Sequence, residues 1–453
     1  MQRLDKKSRG KYAEEILDFL RNENIPTFRK TFLDLHPMDQ ATIFTVLDLN
    51  ERALLYHYIS AGEFSSIFQE LDYEVKLMIL NELHEAYAAD MLNEMDADDA
   101  ASFLAKLPEN TRENLLLSMD DTEEAEVREL MTYPEETAGS IMTKDYIQIK
   151  ASFTTREVLE YLQKEGPSAE TIYYLYVVNE NEQLAGVLSL RDLITHEPSE
   201  LVEKIMSTRL ATVTDSDDQE EVARMIQHYD LLALPVLTKM GKLVGIITVD
   251  DAIDVIEEET TEDVGEFSAV RGATDEDVTA FQAAKKRAPW IVLLMFLGMI
   301  TASTIEQFEE TLEAIVLLAV FIPLIMDSAG NTGTQSLAVI VRGLATGSLD
   351  KKGVAKTLWR EFKTGMMIGL ASAIAIVILI YFLYGNTMLA VVVAVSIFLS
   401  LSLATVIGAI FPLIINKLKL DPAIASGPFI TTINDILGLL IYFTIATSLL
   451  HYL

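Results

Sequence analysis

The sequence predicts a multidomain membrane protein: an all-α helical-repeat domain, a tandem pair of α/β modules, a connecting helix and a transmembrane domain of five α-helices. Three observations predict this order. Acidic residues concentrate in the first part of the chain, two repeat systems follow each other there, and five apolar runs occupy the remainder. The expected boundaries are 1–135, 136–200, 201–256, 257–284 and 285–453.

The charge of the chain is distributed very unevenly. Its 453 residues include 68 acids and 35 bases, a net charge of −33, although 50% of the residues are hydrophobic. Only nine acids and eight bases lie from Ala288 onward, so the excess belongs to the first part. This acidity argues against nucleic acid as a partner, because binding phosphates requires basic groups. The absence of cysteine excludes disulfides, thiolate metal sites and cysteine nucleophiles.

Apolar residues recur every twelve positions in the first domain. One phase of this repeat comprises Leu35, Leu47, Ile59, Leu71, Leu83, Met95, Leu107 and Met119. Asp, Asn or Pro follows several of these positions, as is typical of a helix N-terminus. Units this short cannot bury an apolar face alone, so we expect stacked short helices with a continuous core. The domain is either a scaffold or a scaffold that also binds regulatory ions.

A longer repeat follows, with a period near 60 residues. Ile141-Met142-Thr143 recurs as Ile205-Met206-Ser207, and Gly186 recurs as Gly245. Each copy combines a helical run with two β-rich segments and a second helix. These copies resemble a tandem pair of CBS domains, which are βαββα modules that often bind adenosine nucleotides.

The segment after Gly186 is similar to the ribose-contacting segment of CBS domains. The resemblance implies a nucleotide site at Ser189, Arg191 and Asp192, where a hydroxyl and a carboxylate suit a ribose diol. The matching segment after Gly245 is more acidic and would repel phosphates. A fold element without a ligand is the alternative interpretation.

An acidic stretch, residues 249–263, leads from the second module toward the membrane. On a helix, Asp251, Asp254, Glu258 and Glu262 would lie on one face. Carboxylates about 6 Å apart repel each other by up to roughly 3 kcal/mol at an effective dielectric of ~20. The stretch is therefore either a solvated linker helix or a surface that requires cations, for which Mg²⁺ is suited by its preference for oxygen ligands.

Five apolar runs each approach the ~20 residues that span a bilayer. They cover 288–305, 314–341, 365–384, 388–415 and 423–450. Around these runs, lysine and arginine lie in the segments before the first run and after the second and fourth, whereas the two other loops contain no basic residue. The positive-inside rule then places the N-terminus in the cytoplasm and the C-terminus outside. Buried helices of a large soluble enzyme are the alternative.

Two carboxylates interrupt the apolar runs. Asp327 and Asp435 have no lysine or arginine at comparable depth, and such residues usually mark an ion pathway. They attract a cation in a water-filled path, or each carries a proton. Pro412, Pro422 and Pro428 are expected to break or end helices and free carbonyl oxygens. No phosphate-binding loop, His-Glu metal motif or nucleophile–base pair is recognisable, which favours a channel or an ion-driven carrier over an enzyme.

The order of the parts and three membrane segments resemble one family. The segments are Pro323-Leu-Ile-Met-Asp-Ser-Ala-Gly-Asn-Thr-Gly-Thr-Gln335, Asp421-Pro422-Ala423 and Asp435-Ile-Leu-Gly-Leu-Leu-Ile-Tyr442. They are similar to signatures of MgtE, the bacterial magnesium channels, and the resemblance covers nearly the whole chain. It implies a Mg²⁺-conducting homodimer in the lipid of the bacterial inner membrane, with one pore lined by the second and fifth spans.

The resemblance also assigns candidate pore residues. It implies that Asp435 binds hydrated Mg²⁺ and that Asn331 is the pore asparagine, while Asp421 and Asp327 are further candidates. One family ligand position, often Asn, is Gly427 here, so a ligand there would be backbone or water.

Gating is a further implication of the resemblance. Cytosolic Mg²⁺ would neutralise acidic interfaces, hold the connecting ("plug") helix against the pore and close it. By motif position, the sensor ligands are Asp218, Glu220, Asp230, Asp251, Asp254, Glu259, Glu262 and Asp263, with Asp96 and Asp99 in the helical-repeat domain. ATP at the CBS pair is an additional expected ligand.

Three functions remain open on the sequence. The expectation is a Mg²⁺-permeable, Mg²⁺-gated dimeric channel. A carrier that exchanges a divalent cation for Na⁺ or H⁺ is the first alternative, and a nucleotide-sensing regulator with a membrane anchor is the second.

Overall fold

A computed structural model of the chain describes residues 6–166, 169–268, 279–345, 349, 353–418 and 427–452. The chain divides into two compact units, Met1–Glu257 and Glu258–Leu453. The first unit contains short helices and two small sheets, and the second contains long apolar helices.

Ten short helices begin the first unit. They are α1 (Lys6–Arg21), α2 (Ile25–Leu33), α3 (Pro37–Phe44), α4 (Leu49–Tyr58), α5 (Ala61–Gln69), α6 (Tyr73–Glu82), α7 (Glu85–Asn93), α8 (Ala97–Ala105), α9 (Glu109–Leu116) and α10 (Asp121–Leu130). From α3 to α10 each helix begins twelve residues after the previous one, so the predicted stack of short helices is confirmed.

Caps and buried side chains explain why the repeat produces separate helices. Asp48 and Ser60 form capping boxes that begin α4 and α5. The apolar position within each helix is buried from one repeat to the next, as at Leu55, Ile67 and Ile79. The core formed by these helices continues into the second α/β module, where it includes buried side chains of several elements.

Two α/β modules with the predicted βαββα order complete the first unit. The first contains β1 (Tyr146–Lys150), α11 (Thr155–Glu165), β2 (Thr171–Val178), β3 (Leu184–Ser189) and α12 (Leu190–Thr195). The second contains α13 (Val202–Ile205), β4 (Val213–Thr214), α14 (Gln219–Tyr229), β5 (Ala233–Leu237), β6 (Leu243–Thr248) and α15 (Val249–Phe267). In each three-stranded sheet the central strand pairs parallel with the first strand and antiparallel with the third.

In each module, a methionine of the repeated motif packs against a glycine of the other module. Met206, which follows α13 in the second module, packs on Gly186 of β3, and Met142 of the first module packs on Gly245 of β6. A Cβ atom at Gly186 would lie 2.9 Å from Cγ of Met206, and one at Gly245 would lie 2.8 Å from Cγ of Met142. The repeated glycine therefore leaves room for the repeated methionine of the other module, which explains why both positions recur.

The second unit contains five helices long and apolar enough to span a membrane, counted over the described residues. Its helices are α16 (Ala280–Glu306), α17 (Glu309–Ala314), α18 (Ile322–Ala345), α19 (Val354–Tyr384), α20 (Thr387–Lys417) and α21 (Gly427–Ser448), and a 3-10 segment over Val316–Phe321 precedes α18. Helix α20 packs against α18, α19 and α21, and α18 also packs against α21.

The expectation that Pro412 and Pro428 break or end helices was wrong. Pro412 lies inside α20 rather than at its end. Membrane helices accommodate such a residue because neighbouring helices and local adjustments satisfy the carbonyl that proline leaves free. Pro428 is the second residue of α21, where its missing N–H has no cost, and Pro422 lies outside the described residues.

Hydropathy also placed the start of the third span too late, at Gly365. Helix α19 begins eleven residues earlier and contains Glu361, which is only 5% exposed. The hydroxyl of Ser336 donates to Glu361 Oε2 at 2.9 Å, and Arg360 pairs with Oε1 at 2.9 Å. A cavity of about 340 Å³ between α18, α19 and α20 surrounds this group.

Candidate functional site

Helices α18 and α21 bring the predicted pore residues together. The side chain of Asp435 on α21 lies against Gly330 of α18, where a Cβ atom would come within 3.4 Å of Asp435 Oδ1 and 2.6 Å of Thr431 Cγ2. This Oδ1 atom is buried and has no hydrogen-bond partner among the residues that the structure describes. The small residues at this crossing therefore leave a carboxylate oxygen available for a ligand.

Asp327 and Asn331 lie one turn apart on α18. Both side chains are exposed in a single chain, and Asn331 Nδ2 donates to Asp327 Oδ1 at 3.0 Å. Asn331 also directly follows Gly330, the residue that the Asp435 side chain lies against. The structure thus groups three of the four predicted pore residues, and the fourth, Asp421, lies outside the described residues.

Asn434 is a neighbouring polar residue that the sequence analysis missed. It is 1% exposed, and neither its amide oxygen nor its nitrogen has a hydrogen-bond partner within the described parts of the chain. Its amide fills the space beside Gly333, where a Cβ atom would overlap it. An asparagine in an apolar run was a signal of the same kind as Asp435, and only the structure shows how deeply it is buried.

Gly427, at the family ligand position, is the first residue of α21. A Cβ atom at Gly427 would lie 3.4 Å from the carbonyl oxygen of Phe267, the last residue of α15. Phe267 also packs against the cluster around Leu337 and Ile430. The C-terminal end of the acidic helix therefore contacts the first turn of a pore helix within the second unit.

A second site lies within the first unit, where the start of α8 meets the start of α15. Asp98 on α8 has a buried Oδ1 atom without a hydrogen-bond partner among the described residues. Burial raises the pKa of Asp98 to about 8, and the charges of Asp251 and Asp99 add to this shift. The two predicted residues Asp99 and Asp251 therefore share an acidic site with Asp98, which the sequence analysis did not single out.

Other carboxylates extend this acidic cluster. Burial, opposed by the charge of Lys76, raises the pKa of Asp99 to about 6. Glu170, before β2, has its pKa raised to about 7 by burial and then by Asp96 and Asp251. Removal of negative charge by protons or by bound cations would thus stabilise the cluster.

Asp251 and Asp96 each also accept a hydrogen bond from another side chain. The hydroxyl of Thr248 donates to Asp251 Oδ2, and burial raises the pKa of Asp251 while this hydrogen bond opposes the shift. Asp96 Oδ2 accepts from Gln69 Nε2 at 2.6 Å. Within the described parts of the chain, no group of three or more His, Asp or Glu side chains is positioned to hold a metal ion.

Three predicted sensor residues lie at the ends of α14 rather than in the cluster. Asp218 Oδ1 accepts from the backbone N–H groups of Glu220 and Glu221 at 3.0 and 3.2 Å, as an N-cap. Glu220 pairs with Arg224 one turn later. Asp230 ends the helix in the left-handed conformation, with φ of 51°. Within one chain, Asp218 and Asp230 therefore lie at opposite ends of α14. They are separated by about 16 Å, the length of an eleven-residue helix.

The remaining sensor candidates follow one another along α15. Asp254 lies one turn after Asp251, while Glu259, Glu262 and Asp263 lie in the part of α15 that belongs to the second unit. Helix α15 thus carries carboxylates from the acidic cluster to the turn before Phe267.

The predicted nucleotide residues form a hydroxyl–carboxylate pair. Ser189 Oγ donates to Asp192 Oδ2 at 2.7 Å and accepts from the Asp192 backbone N–H at 3.1 Å, while Arg191 is exposed. Thr248 and Asp251 make the same pair in the second module. The first pair could turn toward a ribose, whereas the second belongs to the acidic cluster.

Three family models match the chain. The MgtE model, described as a divalent cation transporter, matches residues 322–445. The model for the MgtE intracellular N domain matches residues 35–136, and the CBS domain model matches 138–198 and 202–258.

Proteins similar to this chain include two that are named magnesium transporter MgtE. One, from Bacillus subtilis, is 44% identical over 438 residues, covering 97% of each chain. The other, from Thermus thermophilus, is 35% identical over 448 residues, covering 97% of this chain and 99% of the relative.

Two crystal structures are also similar to the chain. The soluble part of a magnesium transporter is 39% identical with a TM-score of 0.54, covering 55% of this chain and 99% of that one. The cytosolic domain of the Mg²⁺ channel MgtE in complex with ATP is 35% identical with a TM-score of 0.51, covering 54% of this chain and 99% of that one.

Proposed function

The chain belongs to the MgtE family of divalent cation transporters, and we propose that it is a homodimeric Mg²⁺ channel for magnesium uptake that cytosolic Mg²⁺ closes. The family transports ions rather than catalysing a reaction, and five apolar helices make this chain a multi-pass membrane protein. The observation that carries the proposal is the Asp435 Oδ1 atom. It lies at a helix crossing near Asp327 and Asn331, with no hydrogen-bond partner in the described parts of the chain.

The chemistry of this pore suits a hydrated divalent cation. Mg²⁺ gives up its water reluctantly and is usually held by one or two carboxylates through several remaining waters. Asp435 and Asp327 supply carboxylates, and the Asn331 side chain supplies an amide oxygen that accepts from water. A path lined by these oxygens would hold a small, strongly hydrated ion through its water shell.

The exposure of two predicted pore residues supports a pore that two copies of the chain form together. Asp327 and Asn331 are exposed in one chain, although they lie in a segment long enough to cross the bilayer. A two-fold axis along the path would place the same residues of both copies around it. The pore would then contain two copies of Asp435, which explains how few protein ligands one chain needs to contribute.

The acidic cluster of the first unit supports gating by Mg²⁺. Burial and then the charges of neighbouring carboxylates raise the pKa values of Asp98 and Asp99, so the cluster tightens when a cation neutralises them. We place the regulatory ions there and at the other predicted sensor carboxylates: Asp96, Asp218, Glu220, Asp230, Asp254, Glu259, Glu262 and Asp263. Several ions that bind one state together shift the equilibrium steeply, because each differential affinity adds to the shift.

Helix α15 connects this cluster to the pore. It carries Asp251 in its first turn and ends at Phe267, whose carbonyl oxygen faces Gly427 at the start of α21. Tightening of the cluster would hold the helix end against this first turn and narrow the cytosolic entrance. Loss of Mg²⁺ would release the helix because the carboxylates repel one another again.

ATP is proposed as a second regulatory ligand. A relative of similar cytosolic fold is described in complex with ATP, and here the Ser189–Asp192 pair offers two groups for a ribose diol. The second module is a poorer site because Asp250 and Asp251 would repel phosphates.

Reconstitution tests the proposal. Purified protein in liposomes that contain a Mg²⁺-sensitive dye should conduct Mg²⁺ without a Na⁺ or H⁺ gradient, and Asp435→Asn should abolish this flux while the dimer stays intact. Glu313→Gln, which removes an exposed charge outside the pore, is the matched control and should conduct like the wild type. Wild-type flux in Asp435→Asn would exclude this pore, and strict coupling to Na⁺ or H⁺ would indicate a carrier.

A further inference from the structure

An apolar groove of about 710 Å³ lies on the surface of the second unit. Residues of α19 and α20 form most of its wall, including Leu358, Trp359, Phe362, Leu399, Leu403 and Val406. The one hydroxyl in the groove belongs to Ser402 and donates to the carbonyl oxygen of Phe398 at 2.7 Å. The groove therefore offers its occupant apolar contacts along its length.

The groove lies at one edge of the apolar part of α19. This helix has 31 residues, about 46 Å, and therefore extends beyond the ~30 Å hydrocarbon core of a bilayer. Its charge-free portion begins after Lys363, so Trp359 and Phe362 lie where hydrocarbon gives way to headgroups. Residues 399–406 of α20 extend the groove inward from this edge.

Basic residues of α19 adjoin the groove, since Lys356 follows Ala355 and Lys363 follows Phe362. Lys356 and Lys363 are exposed, and among the described residues neither forms an ion pair with a carboxylate. Lys363 Nζ lies 5.3 Å from the centroid of the Trp359 ring, which is itself 57% exposed and stacks on Phe362 at 5.5 Å. A positive rim next to an exposed tryptophan is typical of a membrane interface.

We propose that this groove binds an anionic phospholipid, with one acyl chain along α19 and α20 and the phosphate between Lys356 and Lys363. Apolar side chains alone would accept any lipid tail, whereas Lys356 and Lys363 favour a headgroup with net negative charge. Each lysine near the surface strengthens attraction to an anionic lipid by about fivefold. A second copy of the same face is a poorer occupant because it brings two more lysines and no acid to pair with them.

The chain has two tryptophans, which makes the groove directly observable. Trp290→Phe leaves Trp359 as the reporter, and lipids brominated on their acyl chains quench a tryptophan that they contact. The full chain carrying this substitution is reconstituted in phosphatidylcholine vesicles with increasing fractions of brominated phosphatidylglycerol or brominated phosphatidylcholine. Brominated phosphatidylglycerol should half-quench Trp359 at a mole fraction at least about fivefold lower.

Charge variants separate the groove from general attraction to the membrane. Lys356→Gln together with Lys363→Gln should make the two lipids quench Trp359 equally. Lys417→Gln changes a lysine at the end of α20, outside the groove, and should leave the preference intact.

Two results would overturn the proposal. Equal quenching of Trp359 by both lipids in the otherwise unchanged chain would remove the headgroup preference. No quenching by either lipid would show that protein, such as a second copy, covers the groove. Because the readout is fluorescence in folded, reconstituted protein, neither result depends on whether the chain conducts Mg²⁺.

Discussion

The Oδ1 atom of Asp435 lies 3.4 Å from the point that a Cβ atom at Gly330 would occupy. This relationship joins the two pore helices, since the glycine permits α18 to approach α21. The Oδ1 atom at the crossing has no hydrogen-bond partner among the described residues. One turn further on, Gly333 admits the amide of Asn434 and the backbone of α20 in the same way. The pore and the packing of its helices therefore depend on the same small residues.

Gly408 should be the position in these helices least tolerant of a side chain. A Cβ atom there would overlap the carbonyl oxygen of Gly333, which is backbone and cannot rotate away. Gly408→Ala is expected to destabilise the protein by about 1–3 kcal/mol, as overpacking does. Thermal unfolding in detergent measures this change. Gly298→Ala, which meets nothing within 4 Å, is the matched control, and equal unfolding temperatures for both variants would contradict the packing.

The acidic cluster predicts how stability depends on pH. The pKa of Asp98 is raised to about 8 and that of Asp99 to about 6, so the fold binds protons more tightly than the unfolded chain. This stabilisation is present below pH ~4, the ordinary carboxyl range, and is lost as the pH rises toward 8. In a chelator, the free energy of unfolding should therefore fall by up to about 1.4 kcal/mol per pH unit for each such group.

Asp98→Asn should flatten this pH dependence because its amide does not titrate, and millimolar Mg²⁺ should flatten it in the unchanged chain. Unfolding temperatures between pH 5 and 8 report both effects. Asp90→Asn, an exposed residue on the neighbouring helix α7, should retain the full slope. An unchanged slope in Asp98→Asn would remove this residue from the cluster.

Neutralising the carboxylates of α15 should prevent closure. Asp251, Asp254, Glu259 and Glu262 are changed together to Asn or Gln. The cytosolic Mg²⁺ concentration that halves the current should rise by about tenfold or more, because the closed state loses its differential affinity for the ion. A control neutralises four exposed acids elsewhere in the first unit: Glu109, Asp120, Asp121 and Glu180. Closure of the α15 variant at the unchanged concentration would exclude these residues from the sensor.

ATP binding is expected to depend on the first module. Asp192→Asn removes the charged acceptor of the Ser189 pair, and a lost hydrogen bond to a charged group weakens binding by about tenfold or more. Calorimetry on the full chain in detergent measures the dissociation constant. Glu160→Gln, an exposed change on α11, should bind ATP normally. Unchanged affinity in Asp192→Asn would place the nucleotide elsewhere or exclude it.

The sequence predicted those features that arise from local patterns. Helices that begin every twelve residues follow from short-range periodicity and caps, and the intramembrane Asp435 was recognisable because a charge in an apolar run is rare. Asp98 was missed because its burial and its proximity to Asp251 depend on how distant helices pack. The third span was predicted to begin only at Gly365 because hydropathy cannot show that Ser336 and Arg360 satisfy Glu361 inside a helix.

Recording currents from excised membrane patches while stepping Mg²⁺ on the cytosolic face tests the central claim most directly. The account predicts Mg²⁺-carried single-channel openings at low cytosolic Mg²⁺ that close steeply and reversibly as the ion is raised, and no openings for Asp435→Asn. Openings that do not respond to cytosolic Mg²⁺, or openings that persist in Asp435→Asn, would contradict it.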